Sequence, residues 1–404
     1  MAKPETFARP DARAASLTKL RNLKMSRSSH RYVRGNTVKF YEWLEGQKNG
    51  RLPSGPPVWI CGDCHVGNLG PLANASGQIE VQIRDLDQTV IGNPAHDLIR
   101  LGLSLASAAR GSDLPGVTTA KMLEQMMDGY EKSFEPDFHE DIDLQKPETI
   151  RLVSKRAIAA SWRTLAEERI EGARPNIPLG RRFWPISKAE KREIEQLFET
   201  EEMISLATML RSRDGDARVK LLDAAYWIKG CSSLGRLRYA VLLQIGKKKS
   251  KDAQYCLMDI KEAAQAAAPR AASVKMPADQ AERVVEGARY LSPFLGKRMR
   301  AAKLMGKSVF VRELLPQDLK VEIEQLTRDE AMKVALYLAG VVGKAHSRQM
   351  DAATRTQWQK ELQRNRSSSL DAPTWLWTSI VELLADHERA YLEHCRKYAL
   401  ENVN

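Results

Sequence analysis

The sequence predicts an α+β fold in which a β-rich unit lies between two mainly helical segments. Apolar residues recur every three or four positions through most of the first half, as they do on one face of a helix. Near residue 225 the pattern changes to short alternating runs with glycine-bearing turns, and long helical patterns return after them. We therefore expect a helical part at 1–220, a small β-rich lobe at 221–320 and a second helical part at 321–404.

The first helical part also contains two short strands. Residues 15–48 have a helical pattern, and the turn-rich RLPSGPP then leads into the strand VWI at 58–60. A second strand is expected at 79–87. Asn93 as N-cap and Pro94 at the first helical position predict the start of the next helix. CGDCHVGNLG, between the two strands, is therefore expected to be a loop.

The β-rich unit follows residues 117–215, which have a mostly helical pattern. AAYWIKG, RLRYAVLLQIG and QYCLMDIKEA predict three antiparallel strands, joined by CSSLG and by the basic turn KKKSKDA. A helix at 278–292 and a strand at 308–314 complete the unit. Helices over TRDEAMKVALYLAGVVGKAHSRQ and over 373–399 follow it.

Composition indicates a globular protein with an affinity for anions. The chain is 43% hydrophobic and 28% charged, and no apolar run approaches the roughly 18 residues of a membrane span. The absence of a signal-peptide pattern and the five irregularly spaced cysteines favour the cytoplasm. The net charge of +12 predicts attraction to an anionic ligand. The basic runs are short and lack interleaved aromatic residues, so nucleic acid is not expected as a partner.

The loop sequence CGDCH, Cys61–His65, permits several interpretations. Haem attachment through C-x-x-C-H needs an exported protein, and a structural zinc site needs more paired cysteines than this chain has. A thioredoxin-like pair needs a helix that begins at the first cysteine, which Gly62, Gly67 and Gly70 oppose. The cysteines are therefore predicted to be incidental, and a redox or metal–thiolate role is the alternative.

Without the cysteines, the loop has the pattern G-D-x-x-x-x-N. Asp63, Asn68 and Asp85 then provide a carboxylate, an amide and a second carboxylate. Phosphoryl transfer from ATP needs one acid to orient or deprotonate the incoming hydroxyl, and an amide and a carboxylate to hold Mg²⁺. The alternative is that Gly62 and Asp63 form a turn and that Asp85 is a surface residue of a strand.

This stretch resembles the protein-kinase-like superfamily, especially its aminoglycoside and choline phosphotransferase branch. Those enzymes have a catalytic loop H-G-D-x-x-x-x-N, a metal strand I-D-F-x-x and a helix G-x-P-x-x-D-L, and this chain has CGDCHVGN, IRDLD and GNPAHDL in the same order. The resemblance implies that Asp63 is the catalytic base and that Asn68 and Asp85 bind Mg²⁺. Asp87 is the close competitor for the metal, and Asp97 would be a structural anchor in the helical lobe.

Two departures from that family pattern affect the interpretation. Cys61 replaces the usual histidine before Gly-Asp, which leaves the chemistry intact. Only 60 residues precede the loop, too few for a small lobe with a glycine loop, a lysine strand and a glutamate helix. Those parts must therefore be sought elsewhere in the chain.

The missing parts have counterparts downstream of the loop. KGCSSLGRLRYAVLL resembles a G-x-G-x-x-G phosphate loop with serine for the middle glycine, and CLMDIKEA resembles V-A-I-K, whose lysine steadies the α- and β-phosphates. A glutamate in VVEGAR would pair with that lysine. The resemblance implies the following nucleotide-binding residues: Gly230, Ser232, Ser233, Gly235, Lys261 and Glu286.

The order of these parts suggests circular permutation of a two-lobe kinase-like fold. TRDEAMKVALYLAGVVGKAHSRQ resembles the helix that normally runs into the catalytic loop, but here it follows that loop. Permutation preserves the contacts of a site when the original termini lie close together. With RYVRGN and VVEGAR, this order resembles the bacterial domain-of-unknown-function family 2252 over nearly the whole chain. Arg34 is expected either to approach the active site or to pair with a glutamate on a helix surface.

These features predict an ATP- and Mg²⁺-dependent phosphotransferase that acts on a hydroxyl of a small molecule or protein, and the positive charge suits an anionic acceptor. One alternative is a kinase-like protein that transfers AMP, or that binds nucleotides without turnover. Another is a basic, non-enzymatic protein that binds a partner or nucleic acid. The acceptor pocket is expected within 117–220, because helical-lobe insertions build such pockets in these folds.

Overall fold

A six-stranded antiparallel sheet lies beside a larger helical part, so the α+β class is confirmed. The computed structural model describes residues 7–48, 50–138, 144–159, 176–231, 233–246, 254–319, 327–363 and 372–398. The elements named below are those of the described residues.

Helices make up most of the described chain on both sides of the large sheet. In chain order they are α1 (Arg13–Met25), α2 (Ser29–Gly35), α3 (Thr37–Glu45), α4 (Ala95–Gly111), α5 (Gly116–Lys132), α6 (Glu148–Ala159), α7 (Lys188–Leu197), α8 (Glu201–Thr208), α9 (Gln280–Leu291), α10 (Pro293–Lys297), α11 (Arg328–Ser347), α12 (Ala352–Gln363) and α13 (Thr374–Tyr398). Among the residues described, none of these helices combines the length and the apolarity that crossing a membrane requires.

The strands form one large and two small antiparallel sheets. In chain order they are β1 (Val58–Ile60), β2 (Leu69–Ala73), β3 (Ile79–Ile83), β4 (Val90–Gly92), β5 (Phe183–Trp184), β6 (Val219–Trp227), β7 (Arg238–Ile245), β8 (Gln254–Glu262), β9 (Met299–Leu304) and β10 (Lys307–Glu313). β1 pairs with β4 and β2 with β3, while the large sheet has the order β5-β6-β7-β8-β10-β9.

The register of the large sheet places several charged side chains on one face. Lys261 of β8 lies opposite Arg238 of β7 and Phe310 of β10. Cross-strand neighbours share a face, and so do residues two positions apart in one strand. Asp259 therefore lies on the same face as Lys261, where it accepts a hydrogen bond from Arg238 at 2.6 Å. This face carries the predicted lysine.

The predicted helix at 15–48 is divided into α1, α2 and α3. Ser28 caps α2, since its side chain accepts the backbone N–H of Arg31 at 3.3 Å. Asn36 caps α3 in the same way, by accepting the N–H of Lys39 at 3.3 Å. Serine and asparagine compete with the helical backbone for its own hydrogen bonds, so they start new helices here.

The β-rich unit includes residues that precede position 220. β5 pairs with β6, at the edge of the large sheet. α7 and α8 pack on the same sheet, because Ile194 and Met203 share a core with Tyr239 and Val241 of β7. Part of the segment at 117–215, expected to be helical, therefore belongs with the sheet. The unit begins before the boundary expected at 220.

The helical part is held together by close packing of α5 against α11. Gly129 lies against the backbone of Leu336, and Gly343 lies against the side chain of Ser133, so neither position has room for a Cβ atom. The close approach brings the end of α11 to α4. His346 Nε2 of α11 consequently lies 3.2 Å from Asp97 Oδ2 of α4.

Candidate active site

The side chain of Asp97 fixes the loop that follows β1. Its carboxylate oxygens accept the backbone N–H groups of Cys61 at 2.7 Å and of Gly62 at 2.9 Å. Asp97 is fully buried, and His346 contacts it from the other side. Asp97 thus acts as the anchor that the family resemblance implied.

Gly62 gives the loop the turn that presents the next residue. Its φ of +73° lies in the left-handed region, which other residues rarely adopt. A Cβ atom at this position would also collide with the carbonyl group of Gln88. Backbone conformation and close packing therefore both require glycine before Asp63.

Asp63 is held in a nearly closed environment, with 8% of its surface exposed. Arg100 Nε of α4 donates to Asp63 Oδ1 at 2.8 Å, and Thr37 forms a further hydrogen bond with the carboxylate. Burial raises the pKa of Asp63, and the positive charge of Arg100 limits that rise. A carboxylate with a raised pKa is a better proton acceptor than an exposed one.

Asn68 connects the loop to the β2–β3 hairpin. Its Nδ2 donates to the carbonyl oxygen of Asp63 at 3.0 Å. Its own carbonyl oxygen accepts the N–H of Arg84 at 2.7 Å, just after β3. These bonds hold Asp85, the next residue, beside the loop. The structure therefore brings Asp63, Asn68 and Asp85 to one site, as the sequence predicts.

Lys261 reaches this site from the large sheet. Its Nζ lies 3.2 Å from Asp85 Oδ1 and also forms an ion pair with Asp87. The lysine side chain is 4% exposed, whereas that of Asp85 is 43% exposed. The two carboxylates and the lysine are thus in direct contact, although the lysine belongs to a different sheet.

Asp85 and Asp87 differ in their affinity for protons. Burial and the neighbouring Asp85 carboxylate raise the pKa of Asp87 to about 6. Burial also acts on Asp85, but Lys261, a hydrogen bond with Asp87 and other cations outweigh it and lower its pKa below the usual range. Two acids this close favour a further cation between them.

The same residues fit a magnesium ion. Asp87 Oδ1 is buried and has no hydrogen-bond partner, so it is available to a cation. With Asp85 and the amide of Asn68, it supplies the oxygen ligands that Mg²⁺ prefers. Across the described ranges, no three His, Cys, Asp or Glu side chains converge to form a metal site of their own. Phosphate oxygens and water would therefore complete the coordination.

The residues predicted for catalysis and metal binding line a cleft of about 490 Å³. Asp63, Asn68, Asp85 and Asp87 form its floor, and α1, the junction of α2 and α3, and α13 contribute the walls. This volume lies within the range of small-molecule sites. No lining residue comes from the described part of 117–220. The N-terminal helices and α13 line the cleft instead, so the described residues of 117–220 do not reach the space beside Asp63.

A family model described as an uncharacterised protein conserved in bacteria, DUF2252, matches residues 13–397. The chain belongs to this family. No curated protein matches the chain, and no solved structure matches it. The DUF2252 match thus confirms the family that the sequence resembles.

The glycine-bearing turn of the DUF2252 protein lies between β6 and β7. Gly230 and Gly235 have φ angles of +82° and +96°, and α1 lies against Gly235. Ser233 is buried and donates to a backbone carbonyl within the turn, while Ser232 lies outside the described residues. Of this turn and its flank, only Arg236 lines the cleft with Asp63; Gly230 lines a separate cavity.

Glu286 is not the ion-pair partner of Lys261. Lys261 instead pairs with Asp85 and Asp87, which lie within direct reach of its ammonium group. No ion pair of Glu286 occurs in the part of the DUF2252 chain that the structure describes. The pairing expected from the family resemblance is therefore wrong for this conformation.

α9 contacts the site through an arginine that the sequence analysis missed. Arg283 is 1% exposed, and its guanidinium donates to the carbonyl oxygens of Asp87 at 3.0 Å, of Ala264 at 2.9 Å and of Thr89. It thereby ties α9 to the segment that carries Asp85 and Asp87. Arg283 interrupts the apolar stripe of this helix, and that interruption is the sequence feature that could have identified it.

Other buried charges of the DUF2252 protein were also missed. Arg100 interrupts the apolar stripe of α4, and that interruption is the signal that could have identified it. On the large sheet, Asp259 accepts hydrogen bonds from Arg238 at 2.6 Å and from Arg312 at 3.3 Å. Their alternation with apolar residues in β7, β8 and β10 was visible, but their pairing depends on strand register.

The cysteines of the loop lie behind the site as thiols. All five cysteines are free, and Cys61 and Cys64 are fully buried and hydrogen-bonded to each other. That hydrogen bond and burial raise the pKa of Cys61, which disfavours the reactive thiolate. The arrangement is in keeping with the prediction that the cysteines are incidental.

Proposed function

We propose that this DUF2252 protein is an ATP- and Mg²⁺-dependent phosphotransferase that acts on a hydroxyl group. One juxtaposition carries the proposal: Lys261 lies 3.2 Å from Asp85 beside the cleft that Asp63 also lines. Phosphoryl transfer requires a catalytic acid, metal-binding carboxylates and a phosphate-binding lysine. These groups come from distant parts of the chain, and the fold brings them together.

We further propose that the chain has a circularly permuted, two-lobe kinase-like fold. The element order supports this: a glycine-bearing turn between β6 and β7, the lysine of β8, α9, and then β9 and β10. α11 follows these elements in the chain and packs behind the catalytic loop, with His346 beside Asp97. Permutation leaves such contacts unchanged. A cytoplasmic location is part of the proposal, in keeping with the free cysteines.

Asp63 is the general base of the proposed reaction. Its carboxylate takes the proton of the acceptor hydroxyl as the hydroxyl oxygen bonds to the γ-phosphorus; the bond from that phosphorus to the bridging oxygen breaks, and ADP leaves. Arg100 donates to Oδ1 at 2.8 Å and holds the carboxylate in place for the proton transfer. The pKa of Asp63, raised by burial, makes this transfer more favourable.

Asn68, Asp85 and Asp87 would hold the metal, and Lys261 would contact the nucleotide phosphates. Mg²⁺, when bound, supplies positive charge against the phosphate oxygens. Lys261 balances the two carboxylates through its ion pairs with both. A second cation at the carboxylates would leave its ammonium group available to an anion.

Thermal denaturation with a nucleotide panel, with and without Mg²⁺, tests this function. We expect ATP to raise the melting temperature only when Mg²⁺ is present, since ligands that bind the folded state stabilise it. Asp85→Ala should abolish the shift, while Asp216→Ala, at an exposed position outside the cleft, should retain it. If no nucleotide shifts the transition, nucleotide binding is excluded and the proposal with it.

Isotopic labelling identifies the group that is transferred. With ATP labelled at the γ- or the α-phosphorus, the phosphotransferase should pass only the γ label to an acceptor. An acceptor that carries the α label would identify AMP transfer and overturn the phosphotransferase assignment. ATP binding without either product would identify a nucleotide-binding protein without turnover.

A further inference from the structure

The walls of the cleft contain a strongly basic segment. Residues 12–41 include eight lysines and arginines and no aspartate or glutamate. This segment forms α1, α2 and the start of α3. Residues of α1 and of the α2–α3 junction line the cleft above Asp63. Of these basic residues, Arg21 lines the cleft, so positive charge lies beside Asp63.

α1 is a fixed wall, because both of its ends are bonded to other parts of the protein. At its start, Arg13 forms an ion pair with Glu190 at 2.5 Å, on the side of the large sheet. At its end, His394 Nε2 of α13 lies 2.8 Å from the carbonyl oxygen of Asn22. The orientation of the residues between these anchors is thus set by the fold.

Two arginines that line the cleft have no acidic partner among the described residues. Arg21 of α1 and Arg236 before β7 line the same cavity as Asp63. Neither side chain forms an ion pair within the described ranges, and Arg21 Nε is buried without a hydrogen-bond acceptor. Guanidinium groups bind phosphate and carboxylate through paired hydrogen bonds. The unpaired arginines thus form a site for an anion.

Further basic residues strengthen the field at this place. The guanidinium of Arg34 lies against Gly67 in the catalytic loop, 2.5 Å from where a Cβ atom would be. Burial raises the pKa of the Cys231 thiol, next to Gly230, and four nearby cations oppose that rise: Lys24, Arg21, Arg34 and Arg31. Burial and its like-charged neighbours lower the pKa of Lys24. Converging positive charges attract anions into a low-dielectric cleft.

Acidic side chains are confined to the catalytic and metal positions. Asp63, Asp85 and Asp87 are the carboxylates among the described residues that line the cleft. All three already have a place in the proposed reaction. A cationic alcohol, such as an aminoglycoside or choline, would find no further carboxylate and would meet Arg21 and Arg236. The walls therefore select against cationic acceptors.

We infer that the acceptor is a small alcohol that carries a phosphate or carboxylate group, bound by Arg21 and Arg236 while its hydroxyl faces Asp63. The inference rests on the proposed function and specifies the substrate class of the same site. A cleft of about 490 Å³, walled by helices, suits a small molecule better than a protein segment.

Binding of glycerol 3-phosphate, glycerate, glycerol and choline tests the inference. We would follow each by ligand-observed NMR, with and without saturating Mg²⁺ and a non-hydrolysable ATP analogue that fills the nucleotide phosphate positions. At least one of the two anionic alcohols should bind with the analogue present, and glycerol and choline should not. Whether glycerol 3-phosphate, glycerate or both bind tells phosphate from carboxylate recognition.

Arginine variants link that binding to the cleft. Arg21→Ala should weaken anion binding by about tenfold or more, the typical effect of losing a hydrogen bond to a charged group. Arg21→Lys keeps the charge and should lose less. Lys19→Ala removes one charge from an exposed position of the same helix and should change nothing. Affinity for the ATP analogue should stay within about twofold in all three variants.

Two results would overturn the inference. One is that neither anion binds more tightly than glycerol; the other is that Arg21→Ala binds the anions as the unaltered protein does, or loses only affinity for the analogue. Failure of the proposed function looks different, since the analogue then fails to bind with Mg²⁺. Anion binding that depends on Arg21 would still establish the anion site in that case.

Discussion

Arg100 and Asp63 form a buried ion pair between α4 and the catalytic loop, with Arg100 Nε 2.8 Å from Asp63 Oδ1. The arginine is fully buried, and its Nη2 donates to the carbonyl oxygen of Val33 at 2.7 Å. Its guanidinium also lies 5.7 Å from the centre of the Phe40 ring. The position and the charge state of the Asp63 carboxylate therefore depend on Arg100, a residue of α4 that lies outside the sequence motifs.

Asp63→Asn should abolish turnover and preserve nucleotide binding. Asparagine keeps the shape of the side chain and can still accept a hydrogen bond from Arg100, but it cannot take a proton from the acceptor. We expect the Mg²⁺-dependent thermal shift with ATP to persist, and a loss of general-base catalysis of about 100-fold or more in rate. Turnover at the original rate would exclude Asp63 from the mechanism.

Arg100→Met should move the acidic limb of the pH–rate profile to higher pH. Burial raises the pKa of Asp63 and Arg100 opposes that rise, so removing the guanidinium lets the pKa increase further. Asp63 must be ionised to act as a base. The acidic limb of the plot of kcat/KM against pH therefore moves to higher pH.

Arg100→Lys serves as the control for a folding defect. An unpaired buried charge costs about 3–5 kcal/mol, so Arg100→Met is expected to lower the melting temperature as well. The lysine variant retains a positive charge and should recover most of the original profile. A limb that stays in place in both variants would show that Arg100 has only a structural role.

The affinity for Mg²⁺ should fall at acidic pH through Asp87. The pKa of Asp87 is raised to about 6 by burial and by Asp85, so below that pH the metal must displace a proton. The half-saturating Mg²⁺ concentration should rise by up to about tenfold per pH unit between pH 6 and pH 5. The nucleotide-dependent thermal shift, titrated with Mg²⁺ at several pH values, measures it.

Asp87→Asn should weaken metal binding and flatten this pH dependence, because the amide does not titrate. Asp216→Asn, at an exposed position outside the cleft, should leave both properties unchanged. If the half-saturating Mg²⁺ concentration of Asp87→Asn still rises as steeply at acidic pH, the proton that competes with the metal belongs to another group.

Replacing Cys61 and Cys64 together by serine should leave turnover and nucleotide binding largely intact. The loop is anchored through the backbone N–H of Cys61, which serine also has, and the two hydroxyl groups can hydrogen-bond to each other as the thiols do. A loss of about 1 kcal/mol in the free energy of unfolding is expected from the altered packing. A complete loss of activity with a normal melting temperature would restore the redox interpretation.

The sequence predicted the grouping of the loop's polar residues because their contacts are local in the chain. Asp63, Asn68 and Asp85 lie on one strand–loop–hairpin segment, so their spacing largely determines their arrangement. Lys261 was found through its strand motif, although its contact with Asp85 spans 176 positions. Residues with local partners, or with a family motif, could thus be predicted from the sequence.

Contacts that depend on packing between units could not be predicted from the sequence. The pairing of Arg100 with Asp63 depends on which face of α4 is turned towards the loop, and no local sequence pattern specifies that orientation. The ion-pair partner of Lys261 also depends on how the units pack. The sequence predicted Glu286 as that partner, and in the structure Lys261 pairs with Asp87. The sequence did not indicate that α1 and α13 line the cleft, because only the folded helical core brings these two distant segments together.

The bonds of α1 also set the order in which a newly translated chain can complete its catalytic cleft. Arg13 is separated from its partner Glu190 by 177 positions, and Asn22 is separated from His394 by 372. α1 is therefore synthesised long before both of its anchors exist. Under the proposed function, a nascent chain has no acceptor site between α1 and α13 until α13 has emerged.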